Sequence, residues 1–321
     1  MKVLVVGASG AIGRPLVRQL VERGHAVIGT TRTGAKENAL RAAGATPLVL
    51  DLLDRESAIE AIVRTEPDVV VHEATALAGM MDFRKFEGFF EVTNRLRTEG
   101  TAHLLEGIRR AGVPRIVAQS YAGPGAFARS GAWVKTEQDP FDPDPPAAMR
   151  KGVEAMATLE RSVLGAGGVE ATVLRYGGFY GPGTGLGQGG PQLDAVRHRR
   201  FPIVDGGAGV WSFIHIHDAA TATVQAIEGR KPGRYHIVDD EPAPVAEWLP
   251  ALSAAIGAKP PRRVPLWLGR LFAGELGVAM MTESRGASNA KAKRELGWNL
   301  EYPNWRIGFT TGLGIPDRSA A

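Results

Sequence analysis

The chain has 321 residues, of which 44% are apolar and 22% charged, a balance that excludes a disordered or fibrous protein. Its formal charge is only +4 and its densest basic clusters are short, Arg197 to Arg200 and Lys259 to Arg263, which argues against a nucleic-acid stripe. Cysteine is absent, excluding disulfides, thiolate metal sites and a cysteine nucleophile together.

The chain opens directly in a strand-like run, Val3 to Val6, with no basic leader ahead of it. No stretch approaches the ~18 uninterrupted apolar residues of a membrane helix, so no membrane partner is expected and a cytoplasmic location follows by default. Further strands are predicted at Ala26–Thr31, Pro47–Leu50, Asp68–Val71, Arg115–Gln119, Val169–Arg175 and Arg234–Val238. Most are nearly all apolar through their centres, as parallel strands buried on both faces are. Helical patterns alternate with them at Ala11–Arg23, Ala35–Ala43, Arg55–Arg64, Phe89–Ala111 and Ala147–Leu164. Gly24, Gly44 and Gly112 fall where helices stop, and Asp54 is placed to cap the third. Repeated β-α-β units require a parallel sheet with helices on both faces, a doubly wound Rossmann-type α/β fold.

The segment Gly177–Gly190 carries eight glycines and one proline, and reads as a mobile loop rather than an element. Beyond Asp239 come short helices at Val245–Ile256, Leu266–Leu276 and Asn289–Leu296. They are read as a small, mainly helical C-terminal cap over the carboxyl edge of the sheet, where ligands of open α/β sheets bind. The expected division is a dinucleotide-binding domain of residues 1–176 and 210–240, and a substrate cap of residues 177–209 and 241–321.

Between the first strand and helix lies Gly7-Ala-Ser-Gly10-Ala-Ile-Gly13. Gly7 suits a tight turn, Gly10 a close approach of backbone to pyrophosphate, and Gly13 close helix–strand packing. The free N–H groups and dipole of the helix start favour the phosphates. Gly7, Ser9, Gly10, Ala11, Ile12 and Gly13 are therefore candidate cofactor ligands. Strand two ends in Thr31-Arg32 with no acid until Glu37, so Arg32, helped by Thr31, suits a 2′-phosphate and favours NADP over NAD.

The G-x-x-G-x-x-G spacing resembles the extended short-chain dehydrogenase/reductase superfamily, the epimerase/dehydratase branch. Asp51-Leu52, Val71-His-Glu-Ala-Thr75, Leu174-Arg-Tyr-Gly-Gly-Phe-Tyr180-Gly-Pro182, Phe213-Ile-His-Ile-His-Asp218 and Lys291-Ala-Lys-Arg-Glu-Leu-Gly-Trp298 resemble later motifs of that family, in order. The resemblance implies cofactor contacts from Asp51, Leu52, Ala74, Thr75, Ala76, Tyr176 and Lys151. It also implies a small-molecule substrate and, because helices four and five often pair two subunits in that family, a homodimer.

In that family a Ser after strand five and a Tyr-x-x-x-Lys pair do the chemistry. Ser120 takes the serine's place; with Lys151 as the lysine, the tyrosine position holds Ala147, and no tyrosine lies between Tyr121 and Tyr176. Three readings stay open: another group such as Tyr121 moves the proton, the reaction takes its proton from solvent, or the site is redox-silent. The catalytic candidates are Ser120, Tyr121 and Lys151. Arg97 stands where relatives carry an Asn that supports the active-site backbone, which points to a remodelled site or an anion contact. Trp211-Ser212 replaces the Arg-Asp with which nucleotide-sugar relatives grip a diphosphate, arguing for a flatter or more apolar substrate. Trp248, Trp267, Phe272, Met280 and Met281 are candidates for its pocket or for helix-core packing. His215 and His217 lack a third partner at metal-ligand spacing, so no metal is expected, and Asp218 is expected to cap a helix from Ala219.

The expected function is an NAD(P)-dependent oxidoreductase or epimerase/dehydratase-like enzyme acting on a non-nucleotide carbonyl or alcohol. The alternatives are a silent NADP-binding regulatory module, or a non-redox lyase or cyclase that keeps the cofactor as scaffold.

Overall fold

Short, valine-rich runs buried on both faces assemble one parallel sheet. The computed structural model describes residues 1–77 and 86–315. Its sheet strands are β1 (Lys2–Val6), β2 (Ala26–Thr31), β3 (Thr46–Val49), β4 (Val69–His72), β5 (Arg115–Tyr121), β6 (Glu170–Tyr176) and β7 (Gly233–Ile237). They lie in the order β7-β6-β5-β4-β1-β2-β3, every neighbouring pair parallel. This is the doubly wound Rossmann-type arrangement, with the order reversing beside β1.

The helices are α1 (Gly13–Glu22), α2 (Glu37–Ala42), α3 (Arg55–Thr65), α4 (Phe86–Arg95), α5 (Thr101–Ala111), α6 (Arg150–Leu164), α7 (Pro191–Arg197), α8 (Ile216–Gly229), α9 (Val245–Ala255), α10 (Leu266–Thr282), α11 (Ala290–Leu296) and α12 (Trp305–Thr311). On one face, Leu16, Val17 and Leu20 of α1 and Ala219 and Ile227 of α8 pack with Val3 and Val5. On the other, Ile62 of α3, Leu104 and Ile108 of α5 and Leu159 and Val163 of α6 pack with Leu4, Val6 and Ile116. Each such side chain contributes about 1.5–3 kcal/mol by leaving water. A third cluster gathers Trp248, Trp305, Phe309, Leu276 and Met280 from the later helices around Tyr180 and Phe213. Among the described residues no helix is long and apolar enough to cross a membrane.

Strand register brings the chemistry to one edge. Val6 pairs with His72, and His72 with Ala118, so Gly7, residues 73–76 and Ser120–Tyr121 all leave the sheet at its carboxyl end.

Several boundaries differ from expectation for identifiable reasons. The single helix expected over Phe89–Ala111 is α4 and α5 joined by a π-helical turn, Leu96–Gly100. There the Thr98 hydroxyl donates to the Asn94 carbonyl at 3.0 Å, and the bare Gly100 backbone admits the Leu52 side chain. The stretch Gly177–Gly190, expected to hold no element, contains a strand, Gly178–Tyr180, parallel to Phe213–His215. The helix expected to end at Leu276 breaks at Gly274 (φ 66°) and resumes to Thr282. Asp218 does not cap α8: the His215 side chain accepts from the His217 N–H, while the Asp218 carboxylate accepts from the N–H groups of Glu301 and Tyr302. Helices α7 and α12 were not foreseen. Asp54 does cap α3, accepting from the Ser57 N–H, and Gly24, Gly44 and Gly112 each stand just past a helix with positive φ.

Candidate active site

The glycine loop is shaped by close contacts that no side chain allows. Gly7 has φ +94°, and a Cβ there would fall 2.7 Å from the Glu73 carbonyl carbon. A Cβ on Gly13 would run into the Gly7 carbonyl. Gly10 differs, since its Cβ would meet only the Gly7 oxygen, at 3.1 Å, and otherwise open space. The loop is tied by Gly10 N–H to the Gly7 carbonyl at 2.9 Å, and by Gly7 N–H to Thr30 Oγ1 at 3.1 Å. Ala11 and Ile12 carry the chain into α1, whose first turn holds no acid. A cradle open at Gly10, facing an acid-free helix start, fits a dinucleotide pyrophosphate.

Around the cradle, the Ser9 hydroxyl donates to Thr31 Oγ1 at 3.5 Å, while Thr31 donates to the Thr33 carbonyl at 3.3 Å. Thr31 is thus a buried loop fastener. Arg32 is exposed just past β2, with no acid bonded to it among the described residues. The exposed Asp51 accepts from the Leu53 N–H at 3.0 Å, and Leu52 is buried, its carbonyl bonded to His103 Nδ1 at 3.0 Å. Of the turn after β4, Thr75 is exposed, and the Ala74 and Ala76 N–H groups are turned inward to His72 Nδ1 and Thr93 Oγ1.

Tyr176 is not turned to the cleft. Its buried hydroxyl donates to Glu73 Oε1 at 3.0 Å and bonds Thr223 Oγ1 at 2.6 Å, so it spans the sheet under the loop. Burial pushes the Glu73 carboxyl up to about 8, against which the Tyr176 hydrogen bond pulls only partly. At neutral pH Glu73 is mostly protonated.

The catalytic candidates part company. Ser120 and Tyr121 are consecutive on β5, so their side chains take opposite faces. The buried Ser120 hydroxyl donates to Glu160 Oε1 at 2.7 Å; the same carboxylate holds Arg175 through Nε at 2.7 Å and Nη2 at 2.8 Å, and Arg234 Nε at 2.6 Å. Its proton is committed inside the interface of β5 with α6 rather than offered to a substrate. Lys151 lies on the exposed side of α6, paired with Glu87 of α4, which raises its pKa. A cofactor-ribose contact from Lys151 is not what this arrangement presents. The inward face of α6 carries Met149, just before its first turn, with Val153 and Met156. Met149 packs against Gly125 and near Met280 of α10. The pair's own positions hold Ala147 and the outward-turned Lys151, and what is buried at the start of the helix is a thioether and an isopropyl group.

What does face this edge is Tyr121 with Arg97. The Tyr121 ring presses on Gly123, a position that has no room for a Cβ. Burial drives its phenol upward, only partly offset by the Arg97 charge, so it stays protonated. Arg97 projects from the π-helical turn and is itself buried; desolvation brings it down to about 10, leaving it cationic at neutral pH. His72, on β4, is brought down to about 4 by burial with Arg97 adding to the effect, and is neutral. Among the described residues, the site offers hydrogen-bond donors and a cation.

Trp211 is buried against Trp248 (ring centroids 4.8 Å) and donates Nε1–H to the Met280 carbonyl at 2.7 Å. Trp248, Met280 and Met281 are core, whereas Trp267 and Phe272 are 68% and 64% exposed. His215 bonds the Gly312 carbonyl and stacks on Tyr302, while His217 faces Glu301 at the surface. Glu160 was not singled out in the sequence. Its signal was placement: four residues after Met156 and three before Val163, it falls on the apolar face of α6.

The family model for the NAD-dependent epimerase/dehydratase family matches residues 3–238. The chain is 44% identical to the 3-diazoavenalumate denitrifying reductase of a Streptomyces species, over 96% of this chain and 99% of that one. It is 31% identical to the 2-alkyl-3-oxoalkanoate reductase of Stenotrophomonas maltophilia, over 80% of this chain and 76% of that one. Among solved structures, the UDP-glucose 4-epimerase of Thermus thermophilus in complex with NAD superposes with a TM-score of 0.73 at 23% identity, covering 98% of both chains.

Proposed function

The chain belongs to the NAD-dependent epimerase/dehydratase family, and from that premise we propose that it is an NADPH-linked reductase of a diazo-bearing small molecule. The observation that carries the reading is the start of α6: Ala147 holds the tyrosine's position, Lys151 is turned outward to Glu87, and the residues buried there are Met149 and Val153, while the phosphate cradle is intact. Carbonyl reduction must deliver a proton to oxygen, and positioned acids are worth about 10²–10⁴-fold in rate. Loss of a diazonium group has no such need. The relative 44% identical over nearly all of this chain is named for denitrifying a diazo compound, which supports the same chemistry here.

The cradle from Gly7 to Gly13 would hold the pyrophosphate of the cofactor, and Arg32 would meet its 2′-phosphate. A bound reduced nicotinamide supplies a hydride. On the substrate, a C–H bond forms at the carbon that bore nitrogen, the C–N bond breaks, and its electron pair leaves with dinitrogen. Tyr121 and Arg97 orient the substrate without exchanging a proton, and the Met149–Val153 face excludes water from the reacting carbon.

The test is single-turnover oxidation of 4-deuterated NADPH by 4-methylbenzenediazonium, scored for deuterium in the toluene and for dinitrogen, beside a matched aromatic ketone. Deuterium transfer to the arene, preserved in Tyr121→Phe, is the expected result. Ketone reduction that falls about 10²-fold or more in Tyr121→Phe would make this a carbonyl reductase with Tyr121 as its acid. Arg32→Glu should weaken NADPH about 10–100-fold, the loss of charge-assisted bonds, and spare NADH.

A further inference from the structure

Among the described residues three arginines are buried, and the fold treats their guanidinium groups differently: Arg115, 5% exposed, has no carboxylate partner but donates to the Ile227 carbonyl at 2.7 Å. Arg175 is 2% exposed and fully matched: Glu160 takes both edges of its fork, and the Phe141 ring lies 4.1 Å from its carbon. Arg97 is 8% exposed, and among the described residues no carboxylate lies within ion-pair distance of it. Its one side-chain hydrogen bond runs from Nη1 to Asn94 Oδ1 and is long, at 3.5 Å. Taking a cation out of water without a counter-charge costs several kcal/mol; among the described residues Arg115 has at least a short bond to a carbonyl, whereas Arg97 has only the long one to Asn94.

Its surroundings say what is missing. His72 ends β4 and Tyr121 ends its neighbour β5, and the π-helical turn that carries Arg97 packs on α6, which packs on β5; the Arg97 charge acts on both the Tyr121 phenol and the His72 ring. The Tyr121 hydroxyl has no hydrogen-bond partner among the described residues. It is a neutral donor, and His72 is neutral too, so among the described residues nothing there supplies negative charge. Asn94, which shares its amide oxygen with Arg97, faces the first turn of α6 at Gly152. Arg97 also sits in a π-helical turn, an irregularity that recurs at functional sites because it re-aims one side chain. The apolar walls are Met149 and Val153.

We propose that Arg97 and Tyr121 form a clamp for an anionic oxygen of the substrate, a carboxylate or a phenolate, and so act as its orienting residues. The guanidinium fork and the phenol O–H both donate to that oxygen, and the bound anion supplies the counter-charge that the fold withholds. The clamp rests on the reductase reading for its place in the reaction, but anion recognition can be measured without turnover.

The experiment is calorimetric titration of the protein–NADPH complex with two matched pairs of probes: trans-cinnamate against cinnamamide, and 4-nitrophenolate against 4-nitroanisole, at a pH where both acids are ionised. The wild-type protein should bind one anion and discriminate against its neutral partner. Arg97→Gln should weaken that anion about 10–100-fold, the value of a charge-assisted bond, while NADPH affinity and thermal midpoint hold. Whichever anion is lost identifies the oxygen that the clamp reads. Arg97→Lys, which keeps the charge without the fork, should retain part of the affinity and guards against a folding defect in the glutamine variant. Tyr121→Phe should weaken the same anion less. Equal loss of anion and neutral probe, or anion binding untouched by Arg97→Gln, overturns the clamp. Anion binding that follows Arg97 in a protein that reduces no diazonium leaves the clamp standing and removes the reductase reading instead.

Discussion

At the scale of single residues, the three loop glycines do different work, and substitution separates them. Gly7 sits at φ +94° with the Glu73 backbone 2.7 Å from where a Cβ would be, so Gly7→Ala strains the fold itself. Gly10 has room, with only the Gly7 oxygen at 3.1 Å. Gly10→Ala is therefore expected to fold near the wild-type midpoint while its methyl group holds off the pyrophosphate. NADPH fluorescence titration with thermal unfolding checks this: Gly10→Ala loses affinity at constant stability, Gly7→Ala loses stability first. The sequence showed these glycines through spacing alone. It did not show that Ser120 and Tyr121 would divide, because that depends on which helix covers each face of β5. Once Glu160 of α6 claims the Ser120 hydroxyl at 2.7 Å, the neighbouring residue is the one left at the cleft.

At the scale of elements, α6 carries its two notable charges on opposite sides. Glu160 is 2% exposed and holds Ser120, Arg175 and Arg234. Glu160→Gln leaves two guanidinium groups short of a counter-charge, and the expected cost is about 3–5 kcal/mol by urea unfolding. Ser120→Ala removes one bond from the same group and should cost about 1 kcal/mol. Lys151, 71% exposed and paired with Glu87, should tolerate Ala with less than about 1 kcal/mol lost and with turnover unchanged. Collapse of turnover in Lys151→Ala would show that the lysine turns inward when cofactor binds, against the geometry seen. The periodicity of α6 was legible in the sequence, but the partners of its charges were not, since Arg175 and Arg234 come from separate strands.

At the scale of the whole molecule, Glu73 joins the glycine loop, the sheet and α8 through Tyr176 and Thr223. Its carboxyl titrates at about 8 in the fold against a reference of 4.5, because burial penalises the ionised form. The folded protein therefore holds a proton that the unfolded chain releases. The contribution is fully present below pH 4.5 and is lost as pH rises through about 8, at up to about 1.4 kcal/mol per pH unit. Glu73→Gln should remove this part of the slope, so the stability difference between variant and wild type grows in the variant's favour from pH 5 to 8. Parallel stability profiles for the two proteins would place the ionised carboxylate in the fold instead.

The order of elements, the parallel sheet and the phosphate loop were determined by local sequence, because burial on both faces of a strand and the absence of a Cβ leave marks at fixed spacing. The same holds for the absence of the tyrosine ahead of Lys151. Tertiary structure alone decided that Lys151 turns outward, that Tyr176 lies under the loop, that Thr98 and Gly100 admit a π-helical turn, and that Arg97 is buried without a counter-charge among the described residues. Each of these depends on which distant element packs against the residue, and periodicity along one segment carries no record of its neighbour.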